Sequence, residues 1–306
     1  MPTVDDHPRS PLRDELGGQP PASGGLEHPG ANTGATEAPG PSGPQASAGG
    51  HRRLTARSVI ASTLLGVSPP ALPTRSLVGT AELLGIAPGT ARVAMARMGS
   101  AGELEAIDDG YRLVGPALLA RQARQDLSRH GADLPWDATW HTCVVISDAR
   151  PAVERTALRS AMTALRLAEL REGVWLRPAN LPVGLLHEAE AIAADQCLVL
   201  TSTVADPAAL AASLWDLDGW ARIATYLLAD IDRLGGRLAR TDHTALADGF
   251  VVSAAVLRHL QADPLLPAEL LTERWPGREL RHRHRAFDHT FKEVLAAWQR
   301  RHHRSP

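Results

Sequence analysis

The chain of 306 residues contains very little cysteine and no long hydrophobic run. Its only cysteines are Cys143 and Cys197, which excludes a disulfide framework and a zinc site built from several cysteines. No stretch of about 18 apolar residues and no long heptad array occurs, so we expect neither a membrane span nor a coiled coil. No charged segment followed by an apolar core opens the chain. We therefore expect a cytoplasmic protein without a membrane partner.

Lysine is almost absent, because Lys292 is the only one and all other bases are arginine or histidine. The planar fork of arginine suits phosphate and guanine recognition, although the same bias is typical of an Ala- and Arg-rich genome. The formal net charge is −2 and indicates no nucleic-acid affinity for the chain as a whole. Any basic surface must therefore be local.

Residues 1–50 contain no aromatic residue and are rich in glycine and proline. Such a segment buries too little apolar surface to offset the entropy of ordering it. It also lacks a cluster of basic residues. We expect a disordered tail that is dispensable for folding, with the folded part of the chain beginning near His51.

Residues 51–115 show helical periodicity followed by a hairpin signal. The helices are expected over 54–66, 75–84 and from Pro88 to about Ala101, with Pro88 at a first helical position. Two short strands then flank Asp108-Asp109-Gly110, where Asp-Gly favours a tight turn. Three helices and a hairpin predict a winged helix-turn-helix domain.

The rest of the chain divides into three further parts by pattern. Residues 116–135 favour a connecting helix, and residues 136–205 alternate strands with helices, which predicts a small ferredoxin-like domain. Residues 206–306 are helical and lack strand patterns, with one amphipathic helix expected over 207–235. The predicted fold class is therefore α+β and multidomain.

The third helix carries the candidate DNA contacts. Ala91, Ala94, Met95 and Met98 follow helical spacing and must face the core. The opposite face is small and polar and comprises Gly89, Thr90, Arg92, Val93, Ala96, Arg97 and Ser100. Small residues permit close approach to a major groove, and arginine binds guanine or phosphate. Arg112 on the second hairpin strand could reach a neighbouring phosphate. The alternative is an ordinary solvated helix face.

Three segments of the sequence resemble the PaaX-type repressors of phenylacetate degradation. In the stretch IAPGTARVAMARMGSAGELEA, the matching positions are Arg92, Ala94, Arg97 and Gly102-Glu103-Leu104. Downstream, the matching positions are Trp136-Asp137, Trp140, Arg155, Leu158, Arg159, Gly173-Val174-Trp175 and Pro178. Near the end they are Arg258-His259, Asp263–Pro267, Leu270-Leu271 and Trp275-Pro276-Gly277. The tail, a short acidic wing and an Ala- and Glu-rich loop around 181–194 depart from the family pattern.

The resemblance implies a homodimeric transcriptional repressor that binds double-stranded DNA and is released by an aryl- or acyl-coenzyme A thioester. Two-fold dimers read palindromes, so the operator is expected to be an inverted repeat. The implied central domain is similar to that of Cas2. The candidates for effector binding are Trp140, Arg155, Arg159, Trp175 and Arg258. Each of these residues has an alternative role in packing or in an ion pair.

Two other functions compete with this interpretation. A metal-dependent, Cas2-like nuclease would use Asp148 at the end of the first central strand, although one carboxylate per subunit is a poor metal site without a partner. A purely structural interaction module would not bind DNA. We interpret His282, His284, His289 and Asp288 as a solvated basic helix end, because residues i and i+2 do not share a helix face. No catalytic constellation is present in the sequence, so we expect no enzyme, cofactor or metal.

Overall fold

A computed structural model describes residues 54–131, 134–146 and 150–302. The predicted tail of residues 1–50 and the nuclease candidate Asp148 lie outside these ranges. Residues 52–306 form one compact unit, so the described segments of this part of the chain pack against one another as a single body.

Within the described ranges the chain forms ten α-helices, two short 3₁₀ helices and seven strands in two sheets. The helices are α1 (Ala56–Leu65), α2 (Thr74–Leu83), α3 (Pro88–Ser100), α4 (Pro116–His130), α5 (Ala152–Ala164), α6 (His187–Gln196), α7 (Pro207–Leu214), α8 (Leu217–Ala239), α9 (Leu246–Gln261) and α10 (Gly277–His302). The strands are β1 (Ala71–Pro73), β2 (Leu104–Ile107), β3 (Gly110–Leu113), β4 (Thr139–Val145), β5 (Ala168–Arg171), β6 (Val174–Pro178) and β7 (Cys197–Thr203). The predicted α+β class is confirmed.

The N-terminal segment, residues 54–115, packs α1, α2 and α3 against a three-stranded antiparallel sheet in the order β1-β3-β2. Helix α1 begins after Thr55, whose side chain forms a capping box with Ser58. Gly110 opens β3 where β1 passes closest, since a Cβ there would lie 2.1 Å from the Leu72 carbonyl oxygen. Only glycine admits this close approach of two backbones.

The central segment has the element order β4-α5-β5-β6-α6-β7, and its antiparallel strands lie in the order β5-β6-β4-β7. This is the order of a ferredoxin-like β-α-β-β-α-β arrangement. A cluster on one sheet face combines Cys143 and Trp175 with Leu158 and Met162 of α5. The opposite face buries Trp140 among residues of α7 and the following turn.

The C-terminal segment consists of helices α7 to α10, and α8, α9 and α10 share one hydrophobic core. The single helix predicted over 207–235 is wrong, because the chain leaves helical geometry at Trp215 and starts α8 with an Asp216 cap. Asp216 accepts a hydrogen bond from the Gly219 amide at 2.8 Å, as a helix N-cap does. Among the helices described, none is both long and apolar enough to cross a membrane.

Three secondary-structure elements lie in stretches where the sequence predicts a loop or no regular structure. Strand β1 occupies a proline-containing stretch, strand β5 is a four-residue edge strand, and α6 replaces the loop expected around 181–194. Each is short and half-exposed, so its hydrophobic pattern is weak. Tertiary pairing with β3, β6 and α5 stabilises them instead.

Candidate nucleic-acid interface

The outer face of α3 is exposed along its whole length. Its exposed residues are the six predicted contacts Gly89, Thr90, Arg92, Val93, Ala96 and Arg97, together with Ser100. The inner face packs Ala91, Met95 and Met98 into the N-terminal core, where each is at most 2% exposed. Pro88 at the first helical turn and the absence of an acid in that turn leave the helix start open to an anion.

The side chains of Arg92 and Arg97 form no ion pair or hydrogen bond with any other described residue. Both side chains are exposed on a face whose other members are small or uncharged. An unpaired guanidinium keeps its five donors available for phosphate or for guanine O6 and N7. The structure thus places two free cations on one accessible helix face.

Two acids of the predicted wing form ion pairs with arginines. Arg112 lies 3.5 Å from Glu105 across the β2–β3 pair, and Arg75 lies 3.7 Å from Asp109 at the turn. Both partners in each pair are more than half exposed, so these contacts are weak. A phosphate could displace Glu105 from Arg112, but Arg112 already has an ion-pair partner, whereas the side chains of Arg92 and Arg97 have none among the described residues.

The structure does not bring the five effector candidates together. Trp140 and Trp175 lie on adjacent strands, as expected, but Trp140 is opposite Pro178 whereas Trp175 is opposite Cys143. An offset of three residues places the two indoles on opposite faces of the sheet. Trp140 is fully buried beside Trp136 and Trp215. The two indoles therefore line no common cavity.

The three candidate arginines are likewise separated. Arg159 pairs with Glu169 at 2.8 Å and lies 5.5 Å above the Trp175 ring. Arg155 donates to the Arg150 carbonyl oxygen at 2.5 Å, and Arg258 is exposed on α9 in the C-terminal segment. Within the described ranges, Arg258 makes no hydrogen bond or ion pair with the other four candidates. Only Arg159 and Trp175 form a contact.

A buried polar network that the sequence reasoning missed joins the central and C-terminal segments. Arg177, 3% exposed, donates to the Asn180 side-chain oxygen at 2.7 Å, and Asn180 donates to the Leu265 carbonyl oxygen at 2.9 Å. Burial lowers the pKa of Arg177 to about 9 and that of Arg166 to about 10. The sequence does contain one indication of this network, namely that Arg177 lies within the otherwise apolar strand Val-Trp-Leu-Arg-Pro.

Ser128 of α4 links this network to α10. Its hydroxyl accepts from Arg166 at 2.7 Å, and its carbonyl oxygen accepts from Arg281 Nε at 2.8 Å. Arg281 Nη2 also donates to Asp263 at 2.6 Å, and both partners of this ion pair are buried. The connecting helix, the central sheet and α10 thus share one set of buried hydrogen bonds.

A second polar set, the α1 clamp, ties the N-terminal segment to the rest. Three consecutive carbonyl oxygens accept hydrogen bonds from side chains of other helices. The Leu65 oxygen accepts from Arg129 Nη1 at 3.4 Å, and the Gly66 oxygen accepts from Lys292 Nζ at 2.8 Å. The Val67 oxygen accepts from Gln122 Nε2 at 3.3 Å. These are carbonyls at the end of α1, which has no basic residue in its own last turn. Two of the donors are cations, which a helix C-terminus favours. The position of α1 therefore depends on α4 and α10.

The prediction of a solvated histidine cluster near the end of the chain is wrong for His284. This residue is 3% exposed, and its Nε2 lies 3.0 Å from the Ser253 hydroxyl. Burial lowers its pKa to about 4, so the ring is neutral at pH 7. Among the residues described, no group of three or more potential metal ligands is present.

Three family models match consecutive parts of the chain. A model described as PaaX-like protein matches residues 55–116, one described as PaaX protein central Cas2-like domain matches 133–213, and one described as PaaX-like protein C-terminal domain matches 215–305.

One similar solved structure is described as Uncharacterized protein Rv0674 from Mycobacterium tuberculosis, at 42% identity and a TM-score of 0.62. The similarity covers 80% of this chain and 98% of that one. A search among curated proteins found no match.

Proposed function

The chain belongs to the PaaX family of regulators, and from this we propose that it is a DNA-binding transcriptional repressor whose N-terminal segment is a winged helix-turn-helix. The observation that carries the proposal is the exposed face of α3, which presents Arg92 and Arg97 without partners among the described residues. Helix α2, the turn at Gly85 and α3 supply the helix-turn-helix, and the β2–β3 hairpin supplies the wing.

Each residue of the α3 face has a role in this proposal. Gly89, Thr90 and Ala96 are small enough for the helix to enter a major groove, and Val93 can contact a thymine methyl group. Arg97 reads a guanine edge, whereas Arg92 and Arg112 hold phosphates. The start of α3 adds backbone N–H groups directed at a phosphate.

We propose further that the protein is a homodimer that reads an inverted repeat. Support comes from β7, the edge strand of the central sheet, where Leu198, Val199 and Leu200 are about half exposed. An apolar edge with unpaired backbone groups favours pairing with another strand. The identical strand of a second copy offers the same apolar side chains and pairs antiparallel about a two-fold axis. Half-sites one helical turn apart, or a multiple, follow from that symmetry.

The effector in this proposal is an aryl- or acyl-coenzyme A thioester that favours the form unable to bind DNA. Each tenfold loss of DNA affinity then requires about 1.4 kcal/mol of differential binding, and operator DNA must weaken effector binding by the same factor. The face formed by Arg159 and Trp175 is the part of the predicted effector set that the fold keeps together.

Selection of bound duplexes from a random pool or from genomic fragments tests the function. A regulator enriches one inverted repeat, with affinity that falls steeply with salt. A structural module enriches nothing, and a nuclease cleaves the pool when Mg²⁺ or Mn²⁺ is added. No family match points to the nuclease, whose candidate Asp148 lies outside the described residues.

A further inference from the structure

A cleft of ≈ 90 Å³ lies between α4, α9 and α10, and its lining includes no residue of the α3 face and none of the predicted effector residues. Cationic or imidazole side chains form most of its lining, with a single carboxylate. The residues concerned are Arg129, His130, Arg281, His284, Arg285 and Asp288.

The positive charge of this cleft is incompletely neutralised. Asp288 already holds Lys292 at 2.6 Å, and Asp263 holds Arg281 at 2.6 Å. The only carboxylate that pairs with Arg129 in the described part of the chain is Asp126, at 3.4 Å, and the Nη2 atom of Arg129 is buried there without a hydrogen-bond partner. A buried donor left unpaired costs free energy, and a shift of the Arg129 side chain towards an acceptor in the cleft would recover it.

Arg285 provides the second free donor set. It is exposed at the mouth of the cleft, and its side chain makes no ion pair or hydrogen bond with the residues described. Arg129 projects from α4 and Arg285 from α10, so the two guanidiniums approach the cleft from different helices. One arginine fork already satisfies a planar carboxylate, whereas a tetrahedral phosphate accepts hydrogen bonds from several directions.

We propose that this cleft binds an oxyanion of the phosphate class, held by Arg129 and Arg285 with Arg281 beside them. At ≈ 90 Å³ the cleft is much smaller than pockets that enclose a whole drug-sized ligand, which suits a small anion such as a single phosphoryl group. The phosphoryl group belongs either to inorganic phosphate or to the end of a larger phosphate ester that extends out of the cleft past Arg285.

Binding at this cleft acts on the α1 clamp. Arg129, which would hold the anion, also donates to the Leu65 carbonyl oxygen, and Asp288 at the cleft positions Lys292, which donates to the Gly66 carbonyl oxygen. An anion that draws in Arg129 and repels Asp288 removes two of the three donors from the end of α1. The consequence for DNA binding rests on the proposed function, but anion binding itself does not.

Calorimetric titration of the full-length protein tests the site. Inorganic phosphate, pyrophosphate and acetate are each titrated in a chloride buffer at constant ionic strength. Wild type is compared with Arg285→Gln, which alters an exposed side chain, and with Arg129→Gln. The matched control is Arg278→Gln, because Arg278 is exposed on the same helix, forms no ion pair or hydrogen bond with the described residues and does not line the cleft.

We expect phosphate to bind wild type and Arg278→Gln within about twofold of each other, and Arg285→Gln roughly three- to tenfold more weakly. Arg129→Gln should bind at least about tenfold more weakly, and acetate should bind weakly to all four proteins. Pyrophosphate affinity well above that of phosphate identifies the end of a larger phosphate ester, whereas equal affinities identify free phosphate. Hydrogen exchange of the Gly66 and Val67 amides should accelerate at saturating phosphate in wild type and in Arg278→Gln, but not in Arg129→Gln.

Two results would overturn the proposal. One is the absence of phosphate and pyrophosphate binding at millimolar concentration, and the other is equal phosphate affinity for Arg285→Gln and Arg278→Gln. Failure of this site can be distinguished from failure of the proposed function, since a protein that binds phosphate but no DNA refutes only the proposed function. A protein that binds DNA but no phosphate refutes only this site.

Discussion

Replacing Asp263 by asparagine should destabilise the protein more than any surface charge change. Asp263 is 1% exposed and accepts hydrogen bonds from Arg281 Nη2 at 2.6 Å and from the Leu265 amide at 2.9 Å. Its charge also favours the charged form of Arg166. Arg166 and Arg177 find only neutral acceptors among the described residues, namely Ser128, Asn180 and backbone carbonyl oxygens. Asp263 is therefore the carboxylate that offsets two buried or nearly buried guanidiniums, those of Arg281 and Arg166.

Removing one partner of a buried ion pair typically costs about 3–5 kcal/mol, because the other charge stays buried. We expect a loss in this range for Asp263→Asn, since the amide keeps an acceptor for Leu265 but turns a donor towards Arg281. The assay is urea unfolding at pH 7, followed by tryptophan fluorescence and by circular dichroism. Trp140, Trp175 and Trp220 report on both segments that the network joins.

Two variants serve as controls for this prediction. Asp230→Asn removes an exposed partner of Arg233, 2.9 Å away and one helical turn along α8, and should cost less than about 1 kcal/mol. Replacing both Asp263 and Arg281 with Leu and Met should restore part of the loss, because the unpaired Arg281 charge is removed, although the Leu265 amide and the Ser128 carbonyl oxygen then each lose a partner. A cost below about 1 kcal/mol for Asp263→Asn would refute the assignment of Asp263 as the counter-charge of the network.

Three further predictions follow from other parts of the molecule. The pKa of His284 is lowered from 6.5 to about 4, so between pH 4 and 6.5 His284 is protonated in the unfolded chain but neutral in the native state. Stability should therefore fall by about 3 kcal/mol as the pH drops from 6.5 to 4, and His284→Gln should flatten that slope in pH-dependent urea unfolding. If the proposed dimer forms through β7, lysine at both Val199 and Leu200 should make the protein sediment as a monomer, whereas lysine at Leu170, similarly exposed on the opposite edge strand β5, should not. Burial raises the pKa of Cys143 to about 11, so iodoacetamide should modify it in urea but not in the native protein at pH 8.

The helices and strands with strong hydrophobic periodicity were predictable, and the short paired ones were not. Helix α3 begins at Pro88 and buries Ala91, Met95 and Met98, as the spacing indicates. Strand β1 has only three residues, and it exists because Gly110 lets its backbone approach β3. Local sequence carries almost no information about such a pairing.

The candidate sites show the same limit at the level of single residues. The α3 face follows from helical geometry alone, so its exposure could be predicted from spacing. The relation between Trp140 and Trp175 depends on the register of β4 against β6, which no pattern within either strand specifies. The buried arginines Arg166 and Arg177 were missed for a related reason. Ser128, the acceptor of Arg166, lies 38 residues away on α4, and Asn180, the acceptor of Arg177, is itself held by the Leu265 carbonyl oxygen 85 residues away.

The most direct test of the central claim is the affinity of the Arg92→Ala/Arg97→Ala variant for the selected duplex, measured by fluorescence anisotropy over a range of salt. Arg222→Ala is the matched control, because Arg222 is exposed on α8 and forms no ion pair or hydrogen bond within the described ranges. Arg97→Ala alone should cost roughly 1–3 kcal/mol and relax specificity at one base pair, and Arg92→Ala should flatten the salt dependence. The double variant should then bind the selected duplex no better than random DNA. Wild-type affinity in the double variant would contradict DNA recognition by the α3 face.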